Sequence, residues 1–597
     1  MTLEYLWIED FRVFKKIGFN FSSKYRFTYD YESKRLQRSL NDQYIESFFG
    51  GGFSEITALI GQNGVGKSTL FEFIIRNLTN FGNGGSTEYN DGDFFAVFSN
   101  LILIKNQELI KNQEELRLLG YKIEEYKETA NLFLRLVGTG YEHIEYAYYS
   151  NVFDYKREYD SFQLNDISIN NLLIQDSVDN QEHVILYWFV YAEIKRQIDF
   201  LTDIKFTAPF KLPSKLFIDI SKNVYKYKHL IQLSDIEQHE LGSIIQMFSV
   251  GVPENVSEKT ELLLFQNLLK YRSFIEPETF KGVDSAIFQD ILLRKSVHKS
   301  ELSPSQIEEL RNILNVIEKF QQLQRTERIN IYNSNDKISI EYSISENNDA
   351  FFQFNDSINK LMGVDTFLGY SWAGISSGEK ALLSLFGRLN FAGKNSEKDP
   401  DFIKNKILLM IDECDLYFHP EWQRRLLKML IDTLPLIFHE KESIQLILSS
   451  HSPFIISDLP NSSIIFLKKL PTDRLKPNGE FYPVVEDSSK FETFGANIHT
   501  LLTNAFFLQD GLIGEFAKTK IFQIIDELEK IETLNEEEVN SFKKRISIIG
   551  EPMIRKKIFE LLYRKVGNDD LRKRKEILER ELEELKNKLE NRNHEEG

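Results

Sequence analysis

The chain has 597 residues and a mass of 70.0 kDa, with 42% hydrophobic and 27% charged residues. That is close to the globular average, so the chain can bury a sizeable core and wholesale disorder is excluded. A net charge of −17 excludes a general nucleic-acid coat, because such binding rests on neutralising phosphates; the single cysteine, Cys414, excludes an intrachain disulfide and a cysteine-based zinc site.

The first residues carry acids where a signal peptide needs bases. No apolar run approaches the roughly 18 residues of a membrane helix, and the longest, Val184 to Val190, is about one strand long. The expectation is a soluble cytoplasmic protein without a membrane partner.

The first strong element is the β-branched run Ile56 to Ile60, which reads as a buried strand. It runs into Gly61-Gln-Asn-Gly-Val-Gly-Lys67-Ser68, a match to G-x-x-x-x-G-K-[ST] at every fixed position. Roughly 0.02 chance matches are expected in a chain this long, so an ordinary glycine-rich turn is a poor alternative. Leu70, Phe71, Ile74, Ile75 and Leu78 then recur at helical spacing. Strand, glycine loop and helix together aim backbone N–H groups and a helix N-terminus at phosphates. Gly61, Asn63, Gly64, Val65, Gly66, Lys67, Ser68 and Thr69 are therefore the expected ATP-binding set. Lys67 would reach the β- and γ-phosphates, and Ser68 would ligate Mg²⁺.

Further along, Asn83 to Gly92 reads as a loop, and the polar stretch Lys105 to Thr129 as an exposed helix. Asn180 to Phe320 is aromatic-rich and reads as mostly helical. Within it, Ser303-Pro-Ser-Gln306 is a capping pattern that leads into an amphipathic stripe from Ile307 to Leu323. Ile329 to Tyr332 and Lys337 to Tyr342 alternate like the strands of a hairpin. Ser376-Ser-Gly-Glu379 precedes apolar residues at Ala381, Leu382, Leu385 and Leu389, so one of the serines reads equally well as a plain helix N-cap. Ile407 to Ile411 is a second buried strand, ending in Asp412-Glu413. Asp412 would hold Mg²⁺, and Glu413 would orient the attacking water. Ile444 to Leu448 is a third such strand, ending in Ser449-Ser-His451-Ser. The acids after His451, such as Asp526 to Glu529 and Glu536 to Glu538, fall in helical runs. Leu571, Leu578 and Leu585, with Leu582 and Leu589, form a short heptad seam beside basic clusters, which reads as a solvated helix, a self-association seam or a partner dock.

In this order, Gly61–Ser68, Ser376–Glu379, Ile407–Glu413 and His451 resemble the Walker A, signature, Walker B and switch histidine of an ABC-type ATPase head. The signature departs from the common form, with Ser377 at a glycine position and Glu379 at a glutamine position. Leu6 to Phe14 and Phe418-His-Pro420 also look like segments of the RecF- and SMC-related, OLD-like heads. Tyr148 to Asp154 and Phe494-Gly-Ala-Asn-Ile-His499, running on into Ala505 to Leu508 and Gly514 to Phe516, are similar to segments of the Septu anti-phage defence ATPases.

The resemblance implies an α/β fold: a mixed sheet with flanking helices, split by a large helical insertion and followed by a helical extension. The expected divisions are 1–100, 101–370, 371–470 and 471–597. It also implies a dimer or higher oligomer with shared ATP sites. Ser376 and Gly378 would contact a nucleotide held by the partner copy's loop, while His451, Lys67 and Glu413 act catalytically and Asn151 stands near the Q-loop. A separate HNH nuclease is the implied partner, with DNA or a retron-type nucleic acid as a further one and no nuclease within the chain. The alternatives are a RecF- or SMC-like DNA-repair ATPase, a transporter subunit and a non-hydrolysing scaffold.

Overall fold

The computed structural model describes residues 1–79, 92–126, 141, 144–153, 164–178, 185–221, 255–275, 280, 283, 291, 302–334, 337–362, 368–396, 405–469, 482–504 and 513–565. Met1–Phe507 and Leu508–Gly597 form two compact units.

The first unit opens with β1 (Leu3–Phe11) and β2 (Phe14–Asn20), then the hairpin β3 (Tyr25–Asp30) and β4 (Arg35–Leu40), then β5 (Phe53–Gly61) and α1 (Lys67–Leu78). After these come β6 (Phe94–Phe98), β7 (Leu101–Ile104), α2 (Gln113–Leu118), β8 (Lys122–Glu125), β9 (Ile144–Ser150) and β10 (Leu164–Asp166). A five-stranded sheet has the order β2-β1-β6-β7-β8. Its side chains alternate by face. Phe94, Ala96, Phe98, Leu101 and Leu103 join the core under α1, while Phe95, Val97, Ile102 and Ile104 join a second cluster with Phe27 and Leu36 of the β3–β4 hairpin.

The insertion supplies α3 (Ile169–Val178), α4 (Ile185–Asp203), β11 (Lys215–Ser221), α5 (Val256–Ile275), α6 (Pro304–Gln324), β12 (Ile329–Asn333), β13 (Lys337–Ser343), α7 (Asp349–Met362) and β14 (Leu368–Trp372). The chain returns through α8 (Ser377–Ser396), β15 (Lys406–Asp412), α9 (Pro420–Ile437), β16 (Ser443–Ser450), α10 (Pro453–Ser457), β17 (Ile464–Lys469), β18 (Pro483–Glu486) and α11 (Ile498–Asn504).

The central sheet has the order β10-β9-β15-β16-β5-β17-β18, and it is parallel except for the β17–β18 pair. Its inner strands β15 and β16 and the second half of β5 are buried on both faces, which is why their sequences carry continuous apolar runs. Ile407, Leu409 and Ile411 face a core with α8 and α9, while Leu408 and Met410 face the core with α1. On α1, Leu70, Phe71, Ile74, Ile75 and Leu78 are all essentially inaccessible. Each such side chain stabilises the layer by roughly 1.5–3 kcal/mol.

The insertion forms its own antiparallel sheet, β12-β13-β11-β14, packed on α5, α6 and α7. The expected cap is present. Ser303 accepts from Gln306 N–H, the Gln306 side chain returns to Ser303 N–H, and Pro304 begins α6. The β12–β13 pairing matches the alternating pattern. Buried ion pairs tie the insertion to α8: Arg388 Nε lies 2.9 Å from Glu193, whose carboxylate also meets Arg196 at 2.8 Å.

One expectation needs correction. Lys105 to Thr129 is not one helix. Its described part holds α2 and β8, because Ile123 and the tyrosine at 121 pack under the β3–β4 hairpin and pull the chain into the sheet. The division at residue 100 falls inside the β6–β7 turn, so residues 101–125 continue the N-terminal sheet and β9 joins the central one. The apolar run at Ile185–Val190 belongs to α4, in the stretch expected to be mostly helical. Asn83–Asp91, Ala505–Leu508 and the heptad seam lie outside the described residues.

In the second unit, α12 (Glu515–Lys530), α13 (Glu536–Ser547) and α14 (Pro552–Lys565) surround a small core that includes Leu528, Phe542, Ile546 and Leu562. The expected acidic runs lie on α12 and α13, and Asn535 with Glu538 caps α13 reciprocally. The unit boundary at Phe507 lies well beyond the expected division at 471.

Candidate ATP-binding site

The glycine loop is shaped by close packing. A Cβ on Gly61 would stand 2.3 Å from the Leu467 carbonyl of the neighbouring strand. Gly64 and Gly66 adopt φ of +76° and +96°, and a Cβ on Gly66 would meet Phe14 and Val13 at 2.8 Å. Glycine is the residue that takes such backbone without strain. Val65 is 1% exposed and pins the loop into the core under α1, leaving Asn63 and Gly64 outside. The first N–H groups of α1, at Lys67, Ser68 and Thr69, have no acceptor within the helix. Successive left-handed glycines ahead of them build a concavity of the kind that holds an anion.

Lys67 is only 6% exposed. Its Nζ folds back on the loop, donating to the Gly61 carbonyl at 3.1 Å and the Gln62 carbonyl at 3.3 Å. Burial lowers its pKa, while Glu413, Asp412 and Asp415 oppose that shift. A cation held by weak neutral acceptors beside three acids is poised to take a better anion.

The acids come from the end of β15. Asp412 is buried, and its carboxylate accepts from the Ser449 hydroxyl of β16 and, at 3.5 Å, from the Tyr148 hydroxyl of β9. The register sets Asp412 beside Ser150. Glu413 then takes φ +50°, a left-handed turn that leads the chain out of the sheet, and its N–H donates to Ser449 Oγ at 2.8 Å. Asp415 was not expected. It is buried, burial raises its pKa, and the Ser450 hydroxyl and His451 backbone oppose the shift. The signal was present as the third acid of Asp412-Glu-Cys-Asp415. His451 follows β16, and its pKa is lowered by partial burial and then by the Lys67 charge, with Asp412 opposing. Neutral at physiological pH, its imidazole offers both a donor and an acceptor nitrogen.

The structure therefore gathers Lys67, Asp412, Glu413, Asp415 and His451 at the carboxyl ends of adjacent parallel strands, where such sheets hold ligands. One carboxylate and one hydroxyl, Asp412 and Ser68, fit Mg²⁺, which keeps waters and takes its other ligands from phosphates. Asn151 follows β9 at the same edge. Ser376 and Gly378 are placed differently. Ser376 Oγ accepts from Glu379 N–H at 3.3 Å, and Glu379 accepts from Ser376 N–H at 2.6 Å, a capping box at the start of α8. A Cβ on Gly378 would meet Trp422 at 3.0 Å and the Tyr417 carbonyl at 3.2 Å. Both serines stand exposed. Cys414 is buried with its thiol pushed well above its ordinary value by burial, so it is a poor alkylation reporter despite its position beside Glu413.

These features define a P-loop ATPase of the AAA/ABC-like class. The chain matches the AAA ATPase domain family AAA_15 over residues 1–456 and belongs to that family. It is also similar to a probable ATPase of retron Vc95 from Vibrio cholerae serotype O1 biovar El Tor, 31% identical over 100 residues, and to one of retron Ec83 from Escherichia coli, 32% identical over 98 residues. Each alignment covers 16% of this chain and, in turn, 18% and 16% of the relative, so the chain spans under a fifth of these curated proteins. No helix among the described residues is long and apolar enough to cross a membrane.

Proposed function

We propose that the chain is an ABC-type ATPase of the Septu-like kind, which binds and hydrolyses ATP with Mg²⁺ in a cytoplasmic dimer or higher oligomer and regulates a separate HNH-type nuclease in anti-phage defence. The observation that carries the ATPase chemistry is the convergence of Lys67 with Asp412, Glu413 and His451 at one sheet edge. Retron ATPase relatives support the defence context, over short segments alone.

In this reading, the loop N–H groups and Lys67 hold the phosphates, with Gly61, Asn63, Gly64, Val65, Gly66, Ser68 and Thr69 shaping the cradle. Mg²⁺ bound by Ser68 and Asp412 supplies charge neutralisation on the phosphate oxygens. Ser449 and Tyr148 fix the Asp412 carboxylate by donating to it. Glu413 orients the attacking water and receives its proton, and His451 donates to the γ-phosphate. Ser376 keeps its hydroxyl proton while its oxygen caps α8, so that proton is available to a γ-phosphate on a facing copy. Gly378 lets the start of α8 pack closely on Trp422 and the Tyr417 carbonyl, which holds its backbone N–H groups in place for that phosphate.

The test is subunit mixing. Lys67→Ala and Ser376→Asp copies, each strongly impaired alone, should together restore about a quarter to a half of ATP turnover if sites are shared. No restoration sinks the shared-site reading. Co-purification with a small nuclease tests the effector reading, whereas DNA-stimulated turnover without any partner would favour direct action on DNA.

A further inference from the structure

A cavity of about 140 Å³ opens at the amino ends of the central strands, the edge opposite the glycine loop. Tyr44, Phe48, Phe53, Glu55, Ser463 and Phe494 line it. Glu55 lies six residues before Gly61 on β5, about 20 Å away along the strand. The pocket is therefore separate from the ATP site, and its role does not depend on that assignment.

Its base is polar and incompletely matched. Glu55 is 7% exposed, and its Oε1 accepts from Ser23 N–H at 2.9 Å and Ser23 Oγ at 3.1 Å. Among the described residues, no Lys, Arg or His nitrogen lies within 4.0 Å of it. Arg26 acts from farther off, and burial pushes the carboxyl up to about 7. Glu4, behind it, carries a second buried carboxyl also raised to about 7. The Ser463 hydroxyl is 1% exposed and has no hydrogen-bond partner among the described residues. The walls are aromatic. Around the mouth, Ile45, Phe48 and Phe494 are 62%, 36% and 63% exposed, with Phe48 and Phe494 edge to face at 5.3 Å. Phe494 opens the segment Phe494–His499, which the ATPase chemistry leaves without a role.

A purely apolar guest would leave the Ser463 hydroxyl unpaired, at a cost of about 1–3 kcal/mol, and would leave the buried Glu55 carboxyl without a cation. An anion would meet two buried carboxyls. A planar cation satisfies both halves: its N–H fork pairs with a carboxylate, and its faces stack on aromatic rings. A pocket of this size admits one such group, being close to the 150 Å³ that holds a single benzene ring. An apolar collar around a charged base is the layout of an interface hot spot, and the acidic chain favours a basic partner segment.

We propose that this pocket receives an arginine side chain from a partner polypeptide, the guanidinium seated on Glu55 and Ser463 and its stem held by Phe48, Phe53 and Phe494.

The probe is N-acetyl-arginine-N-methylamide, titrated onto the intact chain by calorimetry or ligand-observed NMR. Saturable millimolar binding is expected, weakened at least about ten-fold by Glu55→Gln and also by Phe494→Ala, whose exposed ring is not needed for folding. Lys67→Ala should leave it unchanged. The neutral citrulline analogue should not bind. Binding of citrulline equal to that of arginine, or binding indifferent to both pocket variants, would overturn the proposal. Agmatine binding as well as the peptide-like probe would assign the pocket to a free metabolite and overturn the polypeptide source.

Discussion

The two ends of β5 make opposite uses of a buried charge. At the carboxyl end Lys67 is pushed toward neutrality by burial, but three acids from the β15 terminus hold it back. At the amino end Glu55 is pushed toward neutrality by burial, opposed by Ser23, Ser22 and the more distant Arg26, and its own charge helps to raise the neighbouring Glu4. The difference lies in what the strands bring. At the carboxyl edge, the loops after β5, β15 and β16 turn charged side chains inward on one point. At the amino edge, Glu55 meets serines and aromatic rings. At the first site the buried cation has counter-charges before any ligand arrives; at the second the buried carboxyl has none within ion-pair distance among the described residues.

The largest way to break this comparison is Lys67→Ala. Phosphate release should fall about 10³-fold or more, since the cation aimed at developing charge is lost. Glu413→Gln should lower turnover by about 10²–10³-fold while bound ATP accumulates, as read by filter binding; unchanged turnover would remove Glu413 as the base. Ser376→Asp sharpens the signature assignment. Aspartate keeps the N-cap, so the melting temperature should hold, yet its charge should repel a facing phosphate and cut turnover about ten-fold or more. If turnover survives, Ser376 is a cap and nothing else. Gly66→Ala should destabilise the first unit by about 1–3 kcal/mol, seen in denaturant midpoints, because φ +96° and the Phe14 ring oppose a methyl group.

The smallest effect is the pH dependence of Glu55. Its folded pKa, about 7, lies above the ordinary 4.5, so the folded state binds more protons between those values. Stability from this group is therefore full below about pH 4.5 and declines as pH rises through 7. Glu55→Gln should flatten that part of the melting-temperature profile. An unaltered slope would mean that Glu55 titrates normally.

Much of the carboxyl-edge site was legible because its residues are consecutive. The glycine loop and Asp412-Glu413 each announce themselves within eight positions, and the buried strands before them carry no competing polar pattern. Ser449, Ser450 and Tyr148 were in view without a role, since their contribution depends on the parallel register that sets β9 and β16 beside β15. The Glu55 pocket was not legible at all. Its walls come from residues 23, 43–55, 460–463 and 494, which no local period joins. The 105–129 misreading has a simpler cause. A four-residue strand such as β8 carries too few alternations to outweigh the helix-forming composition around it.

The neighbours of β5 have a further consequence. This strand lies between β16 and β17, and Ala58 is paired with both Leu448 and Ile464. Nearly 400 residues separate the glycine loop from the strands that flank it. During synthesis the loop emerges early, but its sheet cannot close until β17 has left the ribosome. Such long-range pairing folds slowly and leaves apolar strand surface uncovered meanwhile. Nucleotide turnover is thereby tied to completion of the head: a nascent or prematurely terminated chain carries the phosphate-binding sequence but not the acids, and has no means to spend ATP.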